Sequence, residues 1–246
     1  IGIEKKRLST VTINDVRIVK KRDMSNVVRC VLFSPEDLFL VKGEPQFRRS
    51  FMDNCLCQLS ARYQKSLNNY EKLLKGKQKI LRDGTDYSYL QSVNLQLAQY
   101  SIDIIDMRRR MCTALEKHAQ AFHHQMTNKK ETLTLRYKTI PYADKEITRD
   151  EIGELVLKRF MDSYDAEIAA HTTLVGIQRD DIEIFINGSE AKKFASQGQA
   201  RTAAISLKFA ERELLREDED YPIMLLDDVL NFRLVVLYQS HCLLQK

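Results

Sequence analysis

A chain of 246 residues that is 43% apolar and 30% charged has enough apolar content for a core and enough charge for much exposed helix. Its 39 Lys and Arg against 34 Asp and Glu leave a formal charge of +5, a mild surplus that permits a nucleic-acid partner without demanding one. No run is apolar and long enough to span a membrane, and Glu4-Lys5-Lys6-Arg7 has no apolar segment behind it. Cys30, Cys55, Cys57, Cys112 and Cys242 are odd in number and hold no Cys-x-x-Cys pair. Zinc spacing and a disulfide framework are therefore not expected, and reduced thiols in a cytoplasmic protein are. His123 and His124, being adjacent, point to different helix faces and are expected at the surface.

In chain order, Leu8, Val11, Ile13, Val16 and Ile18 alternate around Asn14-Asp15 and predict short β-structure with a turn. Val27 to Phe33 predicts a strand, ended by Ser34-Pro35, with Ser34 capping a short helix from Glu36 to Leu40. A long helical stretch begins near Gln46, with Leu56, Leu59, Tyr63, Leu67, Tyr70 and Leu74 at spacings of three or four. Asp83-Gly84-Thr85-Asp86 breaks it. Leu90, Val93, Leu97, Tyr100, Ile104, Met107, Met111 and Leu115 then repeat the stripe. Two such stripes joined by a short turn predict an antiparallel, coiled-coil-like hairpin over residues 51–120.

Thr132 to Tyr137 is a candidate strand, and Thr148 with Glu151 forms a capping box, stapled by Ile147 and Ile152, for a helix reaching about Ala170. Ile182 to Ile186, Asn187-Gly188 and Lys192-Lys193-Phe194 predict a β-hairpin. Ser196-Gln197-Gly198-Gln199-Ala200-Arg201-Thr202 then opens a helix pattern from Ala203 to Glu217. A helix N-terminus offers unpaired N–H groups and a positive dipole end to a phosphate. Ile223-Met224-Leu225-Leu226 is a short apolar run ending in Asp227 and Asp228. A carboxylate at a strand tip can hold Mg²⁺ and a second can orient water. Either feature alone is as ordinary as a cap or a strand leaving the core; loop, helix and acidic strand in this order are more specific.

Those segments resemble the signature loop and Walker B strand of ABC-type ATPases, and Ser196 to Thr202 resembles the signature of the RecF family, bacterial DNA replication and repair ATPases of the SMC-like ABC group. Val31-Leu32-Phe33-Ser34-Pro35-Glu36-Asp37-Leu38, Leu40-Val41-Lys42-Gly43 and Arg48-Arg49-Ser50-Phe51-Met52-Asp53 are similar to the family's segments in the same order. Leu174-Val175-Gly176-Ile177-Gln178-Arg179-Asp180-Asp181 matches another, with Ile177 and Gln178 in place of Pro-His. The likeness runs from the start to about Leu230. It implies an α/β fold, an ABC-type ATPase head interrupted by a helical arm. The expected division is 1–45 as the rest of a β-rich lobe I, 46–172 as arm and lobe II helices, and 173–246 as lobe II with signature and Walker B.

The resemblance also implies a set of roles. Asp227 is expected as the Mg²⁺ ligand and Asp228 as the catalytic acid that orients water. Ser196, Gln197, Gly198 and Gln199 are expected to touch ATP held by a second subunit. Arg48, Arg49, Arg179, Lys192 and Lys193 are candidates for DNA phosphate contacts, weighed against the ordinary reading of such pairs as solvated surface. Family partners are DNA, RecR and RecO, with ATP-dependent homodimers that help load RecA at single-strand gaps. Two departures stand against full activity. None of the eight glycines fits the P-loop Gly-x-x-x-x-Gly-Lys-[Ser/Thr], which the family carries upstream of anything matching Ile1. After Leu230 the family's D-loop is replaced by Asn231-Phe232-Arg233, although Tyr238-Gln239-Ser240-His241 faintly resembles the family's next stretch beyond that loop. A truncated form unable to hydrolyse ATP is therefore expected, the alternative being a non-catalytic helical adaptor or residual gene fragment.

Overall fold

The computed structural model describes residues 11–13, 16–18, 29–84, 87–139, 147–218 and 220–227. Strands β1 (Val11–Ile13) and β2 (Val16–Ile18) pair antiparallel with Thr12 opposite Arg17. Strand β3 (Cys30–Phe33) ends at Ser34, whose N–H is held by Asp37 Oδ2 at 2.7 Å. A single 3-10 turn, Pro35–Leu38, follows with proline in its first position, and α1 (Phe39–Lys42) continues it directly.

The stretch predicted as one helix from Gln46 is two, α2 (Pro45–Leu59) and α3 (Ala61–Asp83). Ser60 leaves the helical region at φ −148° and ψ 111°, and its Oγ accepts the Tyr63 N–H at 3.2 Å. The apolar stripe continues across this one-residue break, so periodicity conceals it; the capping serine is the signal. Helix α3 stops at Gly84, left-handed at φ 68°, whose N–H returns to the Ile80 carbonyl at 3.0 Å. Helix α4 (Leu90–Met126) then runs back for 37 residues, completing the predicted hairpin. Tyr63, Leu67 and Tyr70 of α3 and Leu97, Ile104 and Leu115 of α4 are buried in one apolar cluster, and Leu81 and Leu90 are buried near the turn. The hairpin is not a bare pair of helices. Lys77 of α3 is buried against Glu167 at 2.6 Å, and His171 Nδ1 lies 3.1 Å from the Leu81 carbonyl.

Strands β4 (Leu133–Lys138), β5 (Asp181–Ile186) and β6 (Ser189–Glu190) form an antiparallel sheet, with Leu133 opposite Ile186. Between β4 and β5 lie α5 (Arg149–Asp162) and α6 (Tyr164–Ala170), a helix broken at Ser163 where one was expected. The capping box is present: Thr148 N donates to Glu151 Oε2 at 2.7 Å, and Ile152 is buried. Asn187 and Gly188, at φ 51° and 76°, make the left-handed turn that Asn-Gly predicts. The returning strand is only two residues long. Lys192, Lys193 and Phe194 lie in the helical turn α7 (Ala191–Phe194) instead of a strand.

Helix α8 (Gln197–Leu214) and strand β7 (Ile223–Leu226) complete the fold, β7 lying parallel to β3 with Cys30 beside Ile223 and Phe33 beside Leu226. Ile205 and Phe209 of α8 pack with Phe33 and Met224, seating the helix on one face of that pair. The opposite face carries Leu32, Ile223 and Leu225 at 52%, 55% and 51% exposure, so no element among the described residues covers it. One continuous apolar cluster runs from Val31 to Leu215. His123 is fully buried, contrary to the surface position expected of it, because the last turns of α4 pack against α8. Cys55 and Cys112 are buried free thiols, both pushed up by desolvation, Cys112 to about 12; Cys242 lies outside the described residues. No described helix is long and apolar enough to cross a membrane.

Candidate functional site

The segment predicted to meet nucleotide forms the start of α8. Ser196 is its N-cap: Ser196 Oγ accepts the Gln199 N–H at 3.2 Å, and Gln199 Oε1 accepts the Ser196 N–H at 2.9 Å. The first intrahelical bond is from Ala200 N to the Ser196 carbonyl at 2.9 Å. The N–H groups of Gln197 and Gly198 consequently have no partner within the helix. Ser196, Gln197 and Gly198 are exposed, and Gln199 is half-buried.

Two groups given no role at this loop from the sequence hold it. Gln199 Nε2 donates to Glu131 Oε1 at 2.9 Å; Glu131 Oε2 lies 3.1 Å from His123 Nε2, and His123 Nδ1 lies 3.3 Å from Ser206 Oγ. The Ser196–Gln199 segment is thereby joined to the end of α4 and to the body of α8. Burial lowers the pKa of His123, with Glu131 opposing that shift. On the other side, Lys42 Nζ donates to the carbonyls of Ala191 and Lys192 at 3.0 and 3.3 Å, and to that of Ala195, next to Ser196. Lys42 thus caps the C-terminal end of α7.

Asp227 stands at the C-terminal tip of β7, exposed, its N–H bonded to the Phe33 carbonyl at 2.8 Å. Asp228 lies outside the described residues. No group of three or more His, Cys, Asp or Glu that could hold a metal occurs among the described residues, and Asp227 is a single exposed carboxylate. Arg29 fixes where β7 begins: its carbonyl accepts the Ile223 N–H at 2.9 Å while its Nη1 donates to the Leu215 carbonyl at 2.9 Å. Strand β7 therefore starts beside the C-terminal end of α8.

The basic residues fare differently from their expectation. Arg48 is buried and bidentate on Asp181, at 2.6 and 2.9 Å, while Nη1 holds the carbonyls of Leu40 and Gly43. Its fork is filled within the fold, which removes it as a DNA contact. Arg49 donates to the Asp180 carbonyl at 2.9 Å, Lys192 pairs with Glu44 at 3.0 Å, and Lys193 pairs with Glu190 at 2.6 Å. Arg179 is exposed, ends the 3-10 turn Ile177–Arg179 and donates to the Thr173 carbonyl at 3.0 Å. Asp180 is buried and receives Arg108 Nη1 at 2.9 Å, Thr139 Oγ1 at 2.8 Å and the Tyr137 hydroxyl. Arg108 also donates to Asp53 at 2.7 Å, Tyr63 at 2.9 Å and the Ile177 carbonyl at 3.0 Å.

No protein-family model matches the chain. It is 41% identical over 208 residues to the DNA replication and repair protein RecF of Staphylococcus epidermidis, covering 82% of this chain and 56% of that protein. It is 37% identical over 231 residues to RecF of Clostridioides difficile, covering 93% of this chain and 62% of that protein. A solved structure of the recombination mediator protein RecF in the RecFOR pathway, designated RecF-ATPrS, superposes with a TM-score of 0.84 at 29% identity. That match covers 90% of this chain and 60% of the solved one. The chain thus spans between 56% and 62% of these relatives. Over the part it shares with them, in sequence and in the α/β fold of an ABC-type ATPase head carrying a helical hairpin, this chain belongs to the RecF family of DNA replication and repair proteins.

Proposed function

We propose that this chain carries the signature half of an ATP site that is completed by a second copy, in a protein that dimerises with ATP on DNA and acts with RecR and RecO to load RecA at single-strand gaps. The observation that carries this reading is Gly198. Its backbone is helical, and a Cβ there would meet nothing nearer than Ser196 Oγ at 4.0 Å. Glycine costs a helix interior about 1 kcal/mol relative to alanine. Since the fold has no steric need for glycine here, its use lies with something that approaches the free N–H groups of Gln197 and Gly198 closely. A phosphate fits that description, and solved relatives designated RecF-ATPrS and RecF-ATP are named for such ligands.

Action between subunits is what the resemblance to ABC-type ATPases implies, the signature loop of one copy closing on nucleotide that a second copy holds. Bound Mg²⁺ would neutralise phosphate charge, with Asp227 as its protein ligand and Asp228 orienting water. With no P-loop in its sequence, the 246-residue chain by itself is expected not to turn over ATP.

Sedimentation with ATP beside a nucleotide titration tests the reading in a RecF protein that contains this chain and a P-loop. Gly198→Glu or Ser196→Arg should abolish ATP-driven dimerisation and leave single-subunit binding intact, whereas Asp227→Asn should weaken the Mg²⁺ dependence of binding. A Gly198→Glu protein that dimerises like its parent removes the signature assignment.

A further inference from the structure

Helix α3 contains Arg62, Lys65, Lys72, Lys75, Lys77, Lys79 and Arg82 against Glu71 and Asp83, seven cations and two acids, net +5. The whole chain is also +5. One 23-residue helix therefore carries the entire charge surplus, and the remainder of the molecule balances to zero. Part of that charge is used internally: Lys77 is buried on Glu167, Arg62 holds Asp103 at 2.9 Å, and Arg82 pairs with Asp83 at 3.3 Å. Lys65, Lys72, Lys75 and Lys79 are exposed and form no ion pair among the described residues.

At 100° per residue these four lysines fall within an arc of ~80°, centred opposite the buried face of Tyr63, Leu67, Tyr70 and Leu81. They form a single row. From Lys65 to Lys79 it is fourteen residues long, ~21 Å, about the rise of six base pairs. Glu71, four residues before Lys75 and ~40° round the helix from it, borders the row on one flank. Beside the row sits Gly76, in mid-helix, where a Cβ would meet nothing within 4 Å. As at Gly198, the fold gives no steric reason for a residue that weakens the helix. A bare patch of backbone among unpaired lysines lets a bulky, evenly charged partner lie close to the helix.

We propose that the Lys65–Lys72–Lys75–Lys79 face of α3 is a docking surface for the phosphodiester backbone of duplex DNA. This rests on the DNA-binding reading above, and it moves the contact from Arg48, Arg49, Lys192 and Lys193, whose side chains are engaged within the fold, to the outer side of the hairpin. Backbone contacts of this kind are sequence-independent and are read by salt. Four neutralised phosphates contribute about 3.6 to the slope of log K against log salt. Between 50 and 200 mM salt that slope amounts to about 150-fold in affinity.

The test is fluorescence anisotropy of a labelled duplex, titrated with the RecF protein containing this chain at several salt concentrations. Replacing the four lysines with glutamine should lower the slope by about 3 to 4, and replacing them with arginine should keep it. A matched control, Lys117, Lys129, Lys130 and Lys158 to glutamine, removes the same charge from exposed positions elsewhere and should leave the slope within about one of the parent. If the parent binds DNA but the row variant keeps its slope, or the control loses as much, the surface assignment is wrong while the DNA reading stands. If the parent does not bind duplex, both fall. Far-ultraviolet circular dichroism and the melting temperature of each variant establish that α3 is intact.

Discussion

Arg108 and Asp180 meet at 2.9 Å in the interior with 2% and 0% of their side chains exposed, joining the middle of the long hairpin helix to the entrance of β5. Each needs the other. Burial pushes the Asp180 carboxyl up to about 6, while Arg108, Tyr137 and Thr139 hold its charged form. Removing one member of such a pair leaves an uncompensated charge, which costs about 3–5 kcal/mol. Arg108→Met is therefore expected to lower the urea midpoint severely, or to prevent folding. Asp180→Asn, which keeps an acceptor, should cost less. Equal midpoints for Arg108→Met and the parent would show that the network is dispensable.

Gly176 is a glycine that the fold does require. It sits at φ 133°, and a Cβ there would come within 2.2 Å of Gln178 Oε1 and 2.3 Å of the Tyr70 hydroxyl. Those two atoms are themselves bonded at 2.8 Å, and the Tyr70 hydroxyl accepts the Ile177 N–H at 3.2 Å. Gly176→Ala should destabilise by roughly 2–3 kcal/mol, combining backbone strain with the displaced hydrogen bonds. A thermal scan of the two proteins decides the point.

Gly198→Ala should go the other way. The space is open and the backbone is helical, so the variant is expected to gain up to about 1 kcal/mol in stability. Loss of ATP-driven dimerisation together with a higher melting temperature would separate function from folding at this position. A lower melting temperature would mean that the start of α8 tolerates only glycine for structural reasons.

Acid should loosen the brace behind the start of α8. The pKa of His123 is lowered by burial, so the imidazole binds a proton less readily in the folded chain than in the unfolded one. Its contribution is complete above the unfolded value of about 6.5 and is lost as pH falls below it. The difference in melting temperature between the parent and His123→Gln, followed from pH 7.5 to 5.5, should shift against the parent on acidification. Glu131→Ala removes the bridge to Gln199 and should raise hydrogen exchange at the Ser196 and Gln199 amides. Unchanged exchange would show that the Ser196–Gln199 box stands without its support.

Much of the architecture was legible because it depends on local rules. The Thr148–Glu151 capping box, the Asn187-Gly188 turn and the stop at Gly84 all follow from backbone groups needing partners within a few residues, whereas the helix expected from Ala203 begins at Gln197, capped by a Ser196–Gln199 box. What pattern could not supply was long-range pairing. Arg48 finds Asp181 across 133 positions, and Arg108 finds Asp180 across 72. A basic pair reads as surface until its partner is placed. His123 misled for the same reason: its neighbour His124 is partly exposed, and only the packing of α8 decides which of the two is buried. Single-residue breaks at Ser60 and Ser163 were hidden because an apolar stripe keeps its phase across them.

The uncovered side of the β3–β7 pair bears on how the molecule behaves in a tube. Parallel strands are ordinarily sandwiched between layers, yet here Leu32, Ile223 and Leu225 face solvent together. Concentrated solutions of the 246-residue chain should scatter light, bind hydrophobic dyes and elute late from columns that retain greasy surfaces. Replacing Leu32 and Leu225 with glutamine would relieve that stickiness while leaving Val31 and Phe33, on the α8 side, untouched. The same strip is thus both a handling problem and the place where a solubilising design should begin.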